Sequence, residues 1–254
     1  MFYFSLYFLC LSKNNKLYKI IFIDLLIHQW RTMELMQTSV YVGIIYIGII
    51  IVCYFIGAIP FCYIIGKLAG GKKLTEIGDK NPGAWNLIFN VSKFWGIIGS
   101  ILDVSKGYFS FFLVFKFTEN WIIALIAGCA CVAGHNYSPY LKFSGGKGIA
   151  AMLGFLLAVH PLTIPSFAIG ILFGLYVLRN MIWGVVFGIV TATIFLGIYY
   201  PLIYYHDLLI YIALAIILIL IMVPKQINRS IKLSKNFQFR KEATVKDLFT
   251  PKIR

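Results

Sequence analysis

Seven apolar runs divide most of the chain, at 40–65, 94–116, 121–134, 149–160, 162–178, 181–199 and 208–223. Such runs predict helices that cross a bilayer, because roughly 30 Å of hydrocarbon takes about 20 mostly apolar residues in helical form. The third and fourth runs are short and lean on the loop between them. Non-helical backbone is tolerated at membrane depth only where protein or a water-filled cavity surrounds it. The expected fold is an all-α integral membrane protein, a seven-transmembrane-helix bundle without a separate soluble domain or an internal repeat.

Composition agrees: of 254 residues, 60% are hydrophobic and only 13% charged, far from the balance of a soluble domain. The net charge of +14 would suggest nucleic acid in a soluble protein, but here its placement matters more than its size. Lys67, Lys72, Lys73, Lys80 and Lys93 follow the first run, Lys142 and Lys147 the third, Arg179 the fifth, and a basic stretch from Lys225 to Arg254 the seventh. The opposite connections, at 117–120, around Pro161 and at 200–207, contain no Lys or Arg. The positive-inside rule therefore places the Gly-rich loops and the C-terminus in the cytoplasm and the start of the bundle outside.

Three segments follow: an N-terminal extension at 1–38, a membrane domain at 39–224 and a basic cytoplasmic tail at 225–254. The extension carries Lys13, Lys16, Lys19 and Arg31 on the wrong side for this topology. Three readings stand: a true start at Met33 or Met36, an in-plane amphipathic helix, or an extra span around 20–26. The tail serves topology and attraction to anionic headgroups, worth about 1 kcal/mol per basic residue. Phe237, Phe239 and Phe249 interleave with its charges and are placed to dip into the interface. No motif supports a nucleic-acid partner. The cysteines, Cys10, Cys53, Cys62, Cys129 and Cys131, sit in or beside apolar runs as small packed residues, and no metal is expected.

Three polar islands carry the candidate chemistry. The most informative is the loop at 134–148, whose Ser144-Gly145-Gly146-Lys147-Gly148 joins side-chain-free backbone to a fixed cation. Glycines let successive N–H groups converge, and a following helix adds its positive dipole end, so the loop suits a phosphate. It is not a nucleotide-binding P-loop, since Gly148 stands where Ser or Thr would meet magnesium. His135 opens this loop, either as a capping or packing residue or as a general base. A turn-rich island from Ile77 to Asn86 offers the amides of Asn81, Gly83 and Asn86 to phosphate or carbonyl oxygens, or else satisfies its own backbone. In the second span, Asp103 and Lys106 share a helix face and can pair, either as a structural ion pair or as the wall of a substrate cavity.

Together these residues resemble the bacterial acyl-phosphate:glycerol-3-phosphate acyltransferases, the PlsY family. The resemblance rests on Gly57-Ala58-Ile59-Pro60-Phe61, Asn81-Pro82-Gly83-Ala84 with Asn86, Asp103 with Lys106-Gly107, Gly134-His135 and Phe143 through Ala150, in family order. It implies a seven-helix enzyme of the bacterial inner membrane that moves a fatty acyl group from acyl phosphate to the 1-hydroxyl of glycerol 3-phosphate. The product would be lysophosphatidate, and no cofactor is implied. The expected partners are the bilayer and the two substrates. Lys147 with Ser144, Gly145, Gly146 and Gly148 would hold a phosphate. Asn81 and Asn86 would orient oxygens, and Lys106 would supply charge.

The chain departs from the family at Asp79-Lys80, where Ser-Gly is usual, at Trp85 in place of threonine, and at Phe89 in place of arginine. Lys80 would replace that arginine if its loop folds back. These departures keep a second reading open, a lipid- or phosphate-binding relative or transporter that has lost turnover.

Overall fold

The computed structural model describes residues 16–177, 179, 181–204 and 208–236, so expectations for 1–15 and for the end of the tail lie outside the described residues. These residues form α1 (Lys16–Ala58), α2 (Phe61–Gly70), α3 (Ala84–Asn90), α4 (Lys93–Thr118), α5 (Trp121–Asn136), α6 (Ile149–Val159), α7 (Thr163–Val177), α8 (Met181–Tyr204) and α9 (Leu208–Asn236). A 3-10 turn lies at Pro139–Leu141, and no strand occurs among the described residues. The chain divides into two compact units, Met1–Gly48 and Ile49–Arg254. In the first, Trp30, Met33, Leu35 and Met36 on α1 are exposed.

Among the described residues, five stretches are long and apolar enough to cross a membrane: Ile23–Gly70, Lys93–Thr118, Trp121–Leu141, Met181–Tyr200 and Leu208–Ile227. The chain is therefore a multi-pass membrane protein. Helices α6 and α7, with 11 and 15 residues, are apolar but shorter, spanning about 16 and 22 Å at 1.5 Å per residue.

The run at 40–65 differs from the single helix expected of it. Proline disfavours helical backbone in the residue before it and has no N–H to give, so α1 stops at Ala58 and α2 starts beyond Pro60. The Ile59 N–H turns back to the Ile56 carbonyl at 3.2 Å. At the other end α1 already begins at Lys16, because isolated lysines interrupt hydropathy without interrupting a helix.

Elsewhere the ends are locally coded. Ser92 caps α4 by accepting the Trp95 N–H, and Asn120 caps α5 by accepting that of Ile123 at 3.1 Å. Thr163 joins α6 to α7, its hydroxyl donating to the carbonyls of Leu156 and His160 at 2.8 and 2.7 Å.

Small residues bring the helices together. In lipid there is little hydrophobic force between helices, and close backbone approach supplies the packing instead. A methyl on Gly107 of α4 would strike the Ala151 carbonyl of α6, and one on Gly154 of α6 would strike the Val104 carbonyl of α4. Gly57 and Gly134 make the same contact between α1 and α5, against Cys131 and Tyr54. An aromatic layer fills the opposite part of the core, where Trp121 meets Tyr200 at 5.0 Å and Tyr200 stacks on Tyr211 at 5.7 Å. The Tyr200 hydroxyl donates to the Val159 carbonyl at 2.7 Å. Asn81, Asn86, Asp103, Lys106, His135, Asn136 and Ser138 are all buried polar residues.

Candidate functional site

Asp103 and Lys106 lie one turn apart on α4 and pair at 2.9 Å, each side chain only 2% exposed. Neither has drifted toward water, because other elements complete the pair. Lys106 also donates to the Ile59 carbonyl at 2.8 Å and lies 5.6 Å from the Phe61 ring centre. The Cys62 thiol donates to Asp103 Oδ2 at 3.2 Å. His135 Nδ1 comes within 3.6 Å of the same Asp103 oxygen that faces Lys106. A single carboxylate thus joins α2, α4 and α5.

The glycine-rich loop is built over this cluster. The Gly146 N–H donates to the His135 carbonyl at 2.9 Å. A methyl on Gly145 would meet the backbone carbonyls of His135 and Asn136, and one on Gly146 would meet the His135 ring. Gly148 stands at φ +83, against the Asn136 side chain, and starts α6. Lys142 and Phe143 just upstream are also left-handed, at φ 51 and 59. So the glycines are buried against His135 and Asn136, while Ser144 is exposed and Lys147 half-buried between them.

Two walls hold the loop in place. From α1, the Ala58 carbonyl accepts the Ser138 hydroxyl at 2.6 Å, and Tyr54 donates to the Tyr137 carbonyl at 2.7 Å. From α9, the Ile221 carbonyl accepts Asn136 Nδ2 and the Tyr137 hydroxyl, at 3.3 and 3.1 Å. Lys225 donates to the Phe143 carbonyl at 2.8 Å and lies 5.3 Å from the Tyr137 ring centre. Its place at the loop escapes the sequence reading, which groups Lys225 with the tail; the helix continuing through Pro224 carries it there.

The first island folds as a knot around Asn86. Its Nδ2 donates to the carbonyls of Leu74, Ile77 and Asn81 at 2.8, 3.0 and 2.9 Å, and its Oδ1 accepts Asn90 Nδ2 at 2.8 Å. The Asn86 amide is therefore directed into its own loop. Asn81 is buried beside Gly83, and its N–H donates to Asp79 Oδ1 at 3.0 Å. Lys80 is exposed at φ 55, a left-handed position that ordinarily favours glycine. Trp85 and Phe89 lie side by side on α3, 4.5 Å apart. Asp79 Oδ2 meets Lys147 Nζ at 3.2 Å, joining the first island to the glycine-rich loop.

The Asn86 knot makes a stability prediction. Asn86→Asp keeps the shape but turns a donor into a carboxylate facing three carbonyls. A buried polar group left unsatisfied costs about 1–3 kcal/mol. Thermal unfolding is expected to fall accordingly, with faster amide exchange at 74–81. An unchanged melt would show that the loop does not depend on this residue.

Chemically, the assembly offers a partly exposed ammonium, Lys147, on a loop whose glycines pack against His135 and Asn136, with the buried Asp103, Lys106 and His135 cluster beneath it. Comparison with known proteins places the chain in a family. The family model described as glycerol-3-phosphate acyltransferase matches residues 47–233. The glycerol-3-phosphate acyltransferase of Finegoldia magna is 36% identical over 177 residues, covering 70% of this chain and 87% of that protein. That of Thermosipho melanesiensis is 38% identical over 116 residues, 46% of this chain; the match spans about half of that relative, 56%.

The crystal structure of PlsY, an integral membrane glycerol 3-phosphate acyltransferase, in its glycerol 3-phosphate form superposes with a TM-score of 0.59 at 26% identity, covering 81% of this chain and 99% of that one. The lysophosphatidic acid form of PlsY gives 0.61 at 23% identity, a likeness of fold, with the same coverage. With its family match running from the middle of α1 to the end of α9, the chain belongs to the glycerol-3-phosphate acyltransferase family.

Proposed function

We propose that the protein transfers a fatty acyl group from acyl phosphate to the 1-hydroxyl of glycerol 3-phosphate, forming lysophosphatidate and inorganic phosphate for phospholipid synthesis. The observation that carries this reading is the buried run Gly145, Gly146 and Gly148 with Lys147 presented between them. It presents a partly exposed cation at the start of α6, which suits a phosphate monoester.

The reaction asks little more. The acceptor oxygen attacks the acyl carbonyl, the carbon–oxygen bond to phosphate breaks, and the leaving phosphate takes the electron pair. The hydroxyl proton passes to phosphate or water. Acyl phosphate is an activated anhydride, so alignment and charge stabilisation are the protein's main contributions. Lys147, with the loop backbone at Gly145 and Gly148, holds the acceptor's phosphate, Gly146 ties the loop to the His135 carbonyl, and Ser144 and Lys80 lie at the rim. Asn81 and Gly83 border the site from the first loop, and Asn86 keeps that loop in shape. The Asp103–Lys106 pair and His135 form a rigid floor.

In this reading the chain crosses the bacterial cytoplasmic membrane seven times, α6 and α7 completing the count. The loops and the tail from 225 face the cytoplasm, and the segment 1–38 precedes the membrane domain on the outside. The placement of Lys and Arg supports that orientation.

The test is lysophosphatidate formation by purified protein given labelled glycerol 3-phosphate and acyl phosphate. Lys147→Ala is expected to raise KM for glycerol 3-phosphate about 10- to 100-fold, the range for one charge-assisted contact. Absence of product from the unaltered protein would remove the enzymatic reading for this substrate pair.

A further inference from the structure

We propose that Asp79 is an intramolecular competitor for the substrate's phosphate: its carboxylate holds the Lys147 ammonium until a phosphate displaces it, and it thereby screens out weaker anions. This rests on the reading of Lys147 as a phosphate-binding residue.

Four observations carry the inference. First, the contact is direct: Asp79 Oδ2 lies 3.2 Å from Lys147 Nζ, and the two side chains are 26% and 32% exposed. A solute can reach the pair from water, unlike the sealed Asp103–Lys106 pair. Second, Asp79 is held in position. Its other oxygen accepts the Asn81 N–H at 3.0 Å, and the Asn86 amide fastens the carbonyls of Ile77 and Asn81 on either side of it. Third, Lys147 cannot evade it easily, since its neighbours Gly146 and Gly148 are buried against His135 and Asn136. Fourth, the partners come from loops 68 residues apart in sequence, so the folded chain supplies the carboxylate at a high effective concentration.

Carboxylate and phosphate are interchangeable to a lysine, which acts as a point charge rather than a shaped fork. They are not equivalent to the whole loop. A phosphate dianion brings a second charge and further oxygens for Lys147 and the loop's polar groups, whereas a carboxylate monoanion brings nothing that Asp79 does not already provide. Acceptors bearing phosphate should therefore displace Asp79, and three-carbon carboxylates such as glycerate should not.

The experiment measures equilibrium binding of labelled glycerol 3-phosphate to the full-length protein in detergent, with glycerate as competitor. Unaltered protein, Asp79→Asn, Asp79→Glu, Lys147→Ala and the Asp79→Asn/Lys147→Ala double variant are compared, and thermal unfolding verifies that each is folded. Asp79→Asn is expected to lower Kd for glycerol 3-phosphate about 3- to 10-fold and to make glycerate a competitor, while Asp79→Glu does neither. In turnover, the change should fall on KM and not on kcat. An unchanged or higher Kd in Asp79→Asn would overturn the inference, because a carboxylate that merely positions Lys147 would give that result. If Lys147→Ala leaves binding unaltered in both backgrounds, the phosphate-site reading fails as well.

Discussion

Gly145→Ala is expected to lower kcat/KM about 100-fold while leaving the helical bundle folded. The added methyl would meet the backbone carbonyls of His135 and Asn136, not the tip of a flexible side chain. Neither carbonyl can yield: the His135 oxygen already accepts the Gly146 N–H at 2.9 Å, and the Asn136 side chain is tied to the Ile221 carbonyl of α9. The loop must then lift as a unit and carry Lys147 with it. A displacement of about 1 Å at a reacting group can cost on the order of 100-fold. The damage is confined to a loop outside the apolar core, so the melting temperature should change little. Steady-state kinetics beside thermal unfolding separate the two effects, and near-normal turnover in a folded variant would mean that the loop does not position substrate.

The largest loss of stability is expected from Asp103→Ala. Removing the carboxylate leaves Lys106 buried with its charge uncompensated, and breaking a buried pair from one side costs about 3–5 kcal/mol. It also takes away the acceptor of the Cys62 thiol and the neighbour of His135, so α2 and α5 both lose an attachment to α4. The double variant Asp103→Ala/Lys106→Met should recover much of the loss, because no orphaned charge remains. Thermal unfolding in detergent reads both. If the double variant were as unstable as the single one, the loss would come from packing around Asp103 and not from charge.

These two sites differ in how far the sequence discloses them. Asp103 and Lys106 can be paired on paper because a helix puts residues three apart on one face, and the 2.9 Å contact follows from α4 being a helix. The glycine-rich loop stands out in the sequence by residue types alone, and its glycines pack against His135 and Asn136. Nothing in the pattern says that His135 and Cys62 converge on the same carboxylate, or that Asp79 meets Lys147. Those contacts depend on how α2, α4 and α5 turn toward one another and on how two loops meet, and a largely apolar helix in lipid has little polar side to reveal its orientation. Lys225 is obscured for a different reason: beside many other basic residues it reads as a topology signal, and only the continuing helix of α9 brings it to Phe143. The hydropathy run at 40–65 hides its break because Ile59 and Pro60 are as apolar as their neighbours; the interruption is one of hydrogen bonding.

That interruption makes the end of α1 a polar address inside an apolar layer. A helix that stops leaves its last carbonyls without the next turn to bond, and here two at the break are claimed by residues distant in sequence: Ala58 by Ser138, and Ile59 by Lys106 beside the Phe61 N–H. The break at Pro60 thus acts as a keystone, fixing the glycine-rich loop and the buried ion pair against a common reference. Lipid on its own gives a helix no such register along its axis.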